Sequence, residues 1–495
     1  MKKKQKGNQI KIPRVMSTQH PDNVTIPFFA ENAVLSGDDE VKEAYFSYSN
    51  LGINEQLWDV EGKEVDNHVI FKLLTKYPDY FRKNTIGKDV FLTIRCPNPE
   101  IEKTEAKILA ELLHSIPRNH DIASVFYKKD VTPIFEVVVP MCQSEVPLIM
   151  IKEFYKKFIN ETNQTLACGK SVAEWLGEFK PKDITVTPLF ETKDEILNAD
   201  KIVEKYIQSQ KIKNYQRVWF ARSDPALNYG NVSAILLVKV ALQRLHKLEK
   251  KLKIPLYPII GMGSSPFRGN FKPSTTEQIL KGYPSIQTFT IQSAFKYDWP
   301  IRQVEDAIDY INKTKRTKPL AIDEKIALKY IDIIHTDYEE SIKLLAPLIN
   351  QISKNIPKRR KRKLHIGLFG YSRGGSSVQL PRAITFCAAL YSIGIPPEIL
   401  GLANLSKKDI QEIQTCYGNF SYDMNEAMQY YNKDNLKILP PTVAKKIRKS
   451  VKLFKYKINK EHKDVTTKIA EALTSGSGNI NELILQAANI RGFLG

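Results

Sequence analysis

Six residues of this chain combine a reactive type with a telling position: His20, Arg95, Glu191, Asp224, Arg268 and Arg373. Each stands at or just beyond the end of a short apolar run. Glu191 and Asp224 close two successive runs. Two carboxylates from neighbouring strands suit Mg2+ or Mn2+, which takes one or two carboxylates and completes its shell with water and substrate oxygens. His20, within Ser17-Thr18-Gln19-His20-Pro21-Asp22, titrates near neutrality and can carry a proton. The arginines offer forked donors to carboxylate, phosphate or bicarbonate. The glycine-rich stretch 261–269, with Gly263 and Ser264 as its candidate contacts, allows close backbone approach and can turn N–H groups toward an anion. Cation, arginines and proton carrier together suit a reaction that builds an enolate or moves a phosphoryl group.

Taken singly, each of these has a plainer role. His20 can be a capping or core histidine, Glu191 and Asp224 can cap helices, 261–269 can be a tight turn, and the arginines can pair with surface acids. The set outweighs its members because all of them fall at the same end of their runs.

The elements that would position them follow from hydrophobic patterning. Runs dense in Val, Ile, Leu and Phe lie at 14–20, 90–95, 133–141, 184–191, 218–224, 256–263, 286–294 and 364–370. Such density suits strands buried on both faces, as in a parallel sheet. Between them lie helical patterns, clearest over 231–252. There Ile235, Val238, Leu242, Leu245, Leu248 and Leu252 recur at spacings of three and four, with lysines between. Segments 100–115 and 304–313 read alike. Alternating strand and helix predicts an α/β fold, and eight strands predict a (β/α)8 TIM-type barrel, which carries its active site at the C-terminal ends of the strands. We expect a basic tail over 1–13, a catalytic barrel over 14–375 and a helical extension packed on the barrel over 376–495, with helices near 382–390 and 482–490, all in one functional domain.

Composition narrows the class. At 42% hydrophobic and 26% charged, the 495-residue chain has ample material for a core. Five cysteines, Cys96, Cys142, Cys168, Cys387 and Cys416, include no C-x-x-C pair, so neither a disulfide framework nor a thiolate zinc site is expected. A reducing cytoplasm fits that usage. The polar, cationic start has no apolar stretch after it, so no secretory signal is expected. The longest apolar run, 234–242, is broken by Lys239 and is too short to span a bilayer. The net charge of +20 is spread along the chain. It is densest in Lys358-Arg359-Arg360-Lys361-Arg362-Lys363, read as a solvated connection into the strand at 364–370.

Several of these segments are recognisable together. Met16-Ser17-Thr18-Gln19-His20-Pro21-Asp22-Asn23 resembles the opening signature of archaeal-type phosphoenolpyruvate carboxylase. Ala221-Arg222-Ser223-Asp224-Pro225-Ala226, the stretch 261–269 and Gly370-Tyr371-Ser372-Arg373-Gly374-Gly375 resemble the same family. The longer bacterial and plant enzymes share a threonine-x-His-Pro motif, matched by Thr18-Gln19-His20-Pro21, and a metal motif matched by Pro188-Leu189-Phe190-Glu191-Thr192. Their Ser-Asp-Ser motif is similar to Ser223-Asp224-Pro225, and their Gly-Arg-Gly-Gly loop to 261–269.

The resemblance implies a carboxylase that forms oxaloacetate and phosphate from phosphoenolpyruvate and bicarbonate, through carboxyphosphate and a metal-stabilised enolate. It implies His20 as proton acceptor, Glu191 and Asp224 as ligands of Mg2+ or Mn2+, Arg95 and Arg268 as catalytic arginines, and Gly263, Ser264, Lys281 and Arg373 as substrate contacts. A homotetramer is implied as well. The segment Ile490-Arg491-Gly492-Phe493-Leu494-Gly495 resembles the family's C-terminus, which lies near the site. Two positions depart from the longer enzymes: Met262 replaces an arginine and Leu227 a lysine. Lys281, Lys296 or Arg373 are the candidates to compensate. Exclusion of water from the enolate calls for closing loops, a role expected of 261–269 and Arg373-Gly374-Gly375.

Two other readings compete. A pyruvate-dependent barrel aldolase or lyase would show a similar site without a bicarbonate pocket. A nucleic-acid-binding protein would use the run 358–363, but that run lacks the interleaved aromatics of a single-strand platform. No nucleic-acid or membrane partner is expected.

Overall fold

The computed structural model describes residues 11–60, 66–361, 371–372, 378–476 and 478–495. Eight parallel strands close into a barrel: β1 (Val15–Ser17), β2 (Glu55–Asp59), β3 (Phe91–Arg95), β4 (Ile134–Val139), β5 (Val186–Phe190), β6 (Gln216–Phe220), β7 (Leu256–Ile260) and β8 (Thr288–Ile291). Each pairs with its neighbours in sequence, and β8 pairs back onto β1 through Val15↔Phe289, Met16↔Thr290 and Ser17↔Ile291.

Seven of these strands fall on runs picked out by apolar density; β2 does not. Its sequence, Glu-Gln-Leu-Trp-Asp, carries two acids and a glutamine, all buried. The run 364–370, expected to be the eighth strand, lies outside the described residues, and the barrel closes without it. The sheet of the barrel therefore ends at Ile291, well before 375.

Inward-facing residues alternate along each strand, as strand geometry requires, and they form layers. At the N-terminal end Arg217 donates to Glu55 Oε1 (2.7 Å) and Oε2 (2.8 Å), to Glu136 Oε2 (3.3 Å) and to Thr288 Oγ1 (3.1 Å). Thr93 and Thr187 donate to the same two glutamates. Burial holds the Glu136 carboxyl above its usual range, because one arginine faces two acids. Two residues further along their strands from Glu55, Glu136, Thr187 and Arg217, the side chains of Leu57, Val138, Leu189 and Trp219 form an apolar layer with Met16, Ile259 and Ala221. One more step reaches the mouth, where Asp59, Arg95 and Glu191 emerge. Leu57, Leu189 and Trp219 are thus the dry floor of whatever the mouth holds.

Helices cover the outside. Asn231–Leu252 spans the range its periodicity predicted. It packs on Lys193–Ser209 and on the 30-residue helix Glu324–Ser353. Helices Ala383–Ser392 and Ile480–Arg491 confirm the two predicted near 382–390 and 482–490, and they contact one another.

Candidate active site

His20, Arg95, Glu191 and Asp224, drawn from four strand ends, line one cleft at the C-terminal mouth of the barrel. Leu57, Leu189 and Trp219 form its floor, and Arg222, Ser223, Gly261, Thr290 and Gln292 complete its wall.

His20 follows β1. Its Nδ1 lies 2.8 Å from Thr18 Oγ1, and Thr18 Oγ1 donates its only proton to the carbonyl of Ile291 at 3.0 Å. The hydroxyl can therefore only accept from the imidazole. Neutral His20 is held as the Nδ1–H tautomer, which makes Nε2 the basic nitrogen.

Glu191 follows β5. The helix Lys193–Ser209 opens with a capping box in which Thr192 is the cap and Glu195 the return partner. Glu195 Oε2 also accepts from the amide of Glu191 at 2.8 Å, so the start of the helix fixes the backbone that carries the carboxylate. Glu191 Oε2 accepts from the Met141 amide at 3.0 Å. Asp224 lies in the first turn of Ser223–Tyr229, a helix capped at Arg222. Neither acid is a helix cap. Two carboxylates on one cleft, one of them oriented by a backbone amide, match the oxygen donors a hard divalent cation takes from protein. Among the described residues no cluster of three or more acidic, histidine or cysteine side chains offers a fuller ligand set.

Arg95 closes β3 and is gripped by Asp59, its register partner on β2. Arg268 stands one layer behind the cleft wall. It donates to Ser223 Oγ (3.2 Å), Gln292 Oε1 (2.6 Å) and the main-chain oxygen of Gly495 (2.7 Å). Asp22 Oδ2 lies 3.9 Å from it. Burial lowers the Arg268 pKa and raises that of Asp22.

The stretch 261–269 is not shaped as a lid. Residues 262–271 are buried, and the turn is knitted by Gly263 N to Arg268 O (2.8 Å), Arg268 N to Ser265 O (3.0 Å) and Phe271 N to Gly263 O (2.9 Å). The Gly263 amide is thus given to Arg268 rather than turned to the cleft. Glycine is needed there for room: a Cβ would sit 2.7 Å from Arg268 Cζ. Ser264 Oγ is buried in the same turn with no partner among the described residues. Lys281 does not join the site; it is exposed on Thr276–Gly282 and pairs with Glu277 at 2.6 Å. Arg373, like Gly374 and Gly375, lies outside the described residues. Lys296 is buried and bound to Glu43 and the Thr18 carbonyl, so it does not fill the gap left by Met262. Met262 and Leu227 are both buried; Met262 packs against Gly269.

Reading the sequence missed Asp59, and it placed Arg222 and Gln292 at strand ends without giving either a role in the site. Arg222 lines the cleft and donates to Asn231 Oδ1. It sits inside the recognisable segment 221–226, directly before Ser223-Asp224, and that position is the signal for its role.

A sequence profile described as phosphoenolpyruvate carboxylase matches residues 12–495. Curated relatives with that description include one from Methanospirillum hungatei, 48% identical over 98% of this chain and 100% of its own length, and one from Pyrococcus abyssi, 46% identical over the same shares. Among solved structures, a pyruvate and acetyl-CoA complex of Haloferax volcanii malate synthase aligns over 85% of this chain and 99% of its own, with 10% identity and a TM-score of 0.40, too loose a likeness to bear on function. With its opening signature, its barrel and its near full-length matches to archaeal enzymes, the chain belongs to the archaeal type of the phosphoenolpyruvate carboxylase family.

Proposed function

We propose that the cleft binds phosphoenolpyruvate and bicarbonate, and that the residues converging on it carry the two stages of carboxylation. The convergence of His20, Arg95, Glu191 and Asp224 on one dry-floored cleft is the observation that supports this reading. Glu191 and Asp224 would hold Mg2+ or Mn2+. When bound, that cation supplies positive charge opposite the oxygens of a developing enolate.

Arg95 orients the substrate's carboxylate or phosphate with its forked donors. Arg268 adds charge from behind Ser223 and Gln292. In the first stage bicarbonate oxygen attacks phosphorus, the bridging P–O bond breaks, and carboxyphosphate and the enolate of pyruvate form. In the second, carboxyphosphate gives its acid proton to His20 Nε2 as its C–O bond to phosphate breaks, leaving CO2 and phosphate. The enolate carbon then attacks CO2 to give oxaloacetate. Leu57, Leu189 and Trp219 keep water from the enolate, which would otherwise be protonated to pyruvate. The same reading brings a homotetramer and a cytoplasmic setting. Among the described residues, no helix is long and apolar enough to cross a membrane.

The test couples oxaloacetate to malate dehydrogenase in the presence of phosphoenolpyruvate, bicarbonate and Mg2+ or Mn2+. Product should require both metal and bicarbonate. Glu191→Gln and Asp224→Asn should each lower kcat by about 100-fold or more, and His20→Asn should largely abolish oxaloacetate. If no metal supports oxaloacetate formation, the reading fails.

A further inference from the structure

The cationic run at 358–363 is only in part a solvated connection where it is described: Lys358 and Lys361 are exposed. Arg359 and Arg360 are buried. Their stretch pairs with Leu35 through Leu35 N to Arg359 O (3.0 Å) and Lys361 N to Leu35 O (3.1 Å). From there both guanidinium groups reach under the loop that carries His20. Arg359 donates to the carbonyls of Asn23 (3.1 Å) and Val24 (2.8 Å). Arg360 donates to the carbonyl of His20 (3.3 Å), to Glu40 (3.1 Å), and to both oxygens of Glu43 (2.7 and 2.6 Å).

Glu43 is shared with a second buried cation. Lys296 donates to Glu43 Oε1 at 2.7 Å and to the carbonyl of Thr18 at 2.8 Å. The carbonyls of Thr18 and His20 are therefore held by two cations that meet on one carboxylate. Thr18 in turn presents the hydroxyl that sets the His20 tautomer. Burial pushes the Glu43 carboxyl up, but Arg360 and Lys296 more than offset it and hold it down at about 2.

Ion pairs this deeply buried add little net stability, because desolvation of each charge consumes most of the Coulombic gain. What they do well is specify one arrangement. We propose that Arg360, with Glu43 and Lys296, is the positioning unit for His20, holding the 18–20 backbone so that Thr18 meets Nδ1 and Nε2 faces the reacting carboxyphosphate. This rests on the carboxylase reading for the role of His20, but its geometric half stands apart from it. None of the three residues lines the cleft.

The test compares Arg360→Gln, Glu43→Gln and Arg360→Lys with the unaltered full-length chain. The lysine keeps a cation in place but cannot span Glu43, Glu40 and the His20 carbonyl together. Two readouts are independent of how much protein is folded: the ratio of pyruvate to oxaloacetate formed, and the KM for phosphoenolpyruvate. A misplaced His20 leaves carboxyphosphate intact longer, so more enolate is protonated. We expect the pyruvate share to rise, kcat to fall about 10- to 100-fold, and KM to move less than about twofold. Arg360→Lys should fall between. In a His20→Asn background, Arg360→Gln should change neither kcat nor the ratio further.

A third readout needs no turnover. The 15N signals of the His20 imidazole, assigned by their loss in His20→Asn, should report Nδ1–H in the unaltered chain and a mixture of tautomers in the variants. Should the unaltered chain make no oxaloacetate, the carboxylase reading falls while these signals still judge the positioning. An unchanged tautomer in a folded variant overturns the proposal. So does a lower melting temperature with an unchanged product ratio, or an equal further loss in the His20→Asn background.

Discussion

Asp59 and Arg95 are register partners on adjacent parallel strands, and their side chains meet as a two-pronged pair, Arg95 Nε to Asp59 Oδ1 at 2.7 Å and Nη2 to Oδ2 at 2.8 Å. The Asp59 side chain is fully buried and that of Arg95 is 13% exposed. Register alone places the carboxylate where it can fix the plane of the guanidinium before substrate arrives. Asp59→Asn should loosen that fork and raise the KM for phosphoenolpyruvate about tenfold, equivalent to about 1.4 kcal/mol, with a smaller effect on kcat. Steady-state kinetics at saturating bicarbonate would show this.

Gly263 makes room for Arg268. Because a Cβ there would lie 2.7 Å from Arg268 Cζ, Gly263→Ala must displace the guanidinium from Ser223 and Gln292. A shift of about 1 Å in a positioning group can cost about 100-fold in rate. We expect kcat/KM to fall about 10- to 100-fold with the circular dichroism spectrum retained.

Lys281 carries the opposite expectation. It is exposed and, among the described residues, its side chain pairs with Glu277 one turn earlier on its own helix. Lys281→Ala should leave kcat/KM within about twofold and stability within about 0.5 kcal/mol. A larger loss of activity would mean that Lys281 reaches the substrate in a state the structure does not show.

Glu398 provides a stability signature. Burial pushes its carboxyl up to about 7 from an ordinary value of 4.5, against the hydroxyl of Tyr391, which donates to Oε1. A raised carboxyl contributes stability that is fully present below its unfolded value and lost as pH rises through its folded one. Glu398→Gln keeps the acceptor for Tyr391 and removes the titration. Its unfolding free energy, read by denaturant titration, should match the unaltered chain near pH 4.5, pull ahead as pH rises, and level off above pH 7 at a gain of up to about 3 kcal/mol.

Some of this was legible in the residues. The helix 231–252 shows its full extent because its periodicity is a local property of one amphipathic face. Seven strands show themselves as apolar runs. The strand Glu55–Asp59 hides because both of its acids face into the barrel, where Arg217 and Arg95 neutralise them. A local reading prices such residues as exposed, since the partners that justify their burial lie in other strands. The run at 358–363 misleads for the same reason: six consecutive cations look solvated until Glu40, Glu43 and the carbonyls of the histidine loop are placed around two of them.

By itself, the sequence determined which side chains stand at the ends of the strands, because alternation along a strand and the punctuation after it are set within a few residues. It thereby named the histidine, the two carboxylates and Arg95 of the cleft. Tertiary structure alone decided what each of them leans on. Arg360 reaches the His20 carbonyl across 340 positions of sequence, and Asp59 meets Arg95 through the register of two strands. A buried charge is stable only beside its partner, and that partner is chosen by how the chain closes on itself, which no local pattern records.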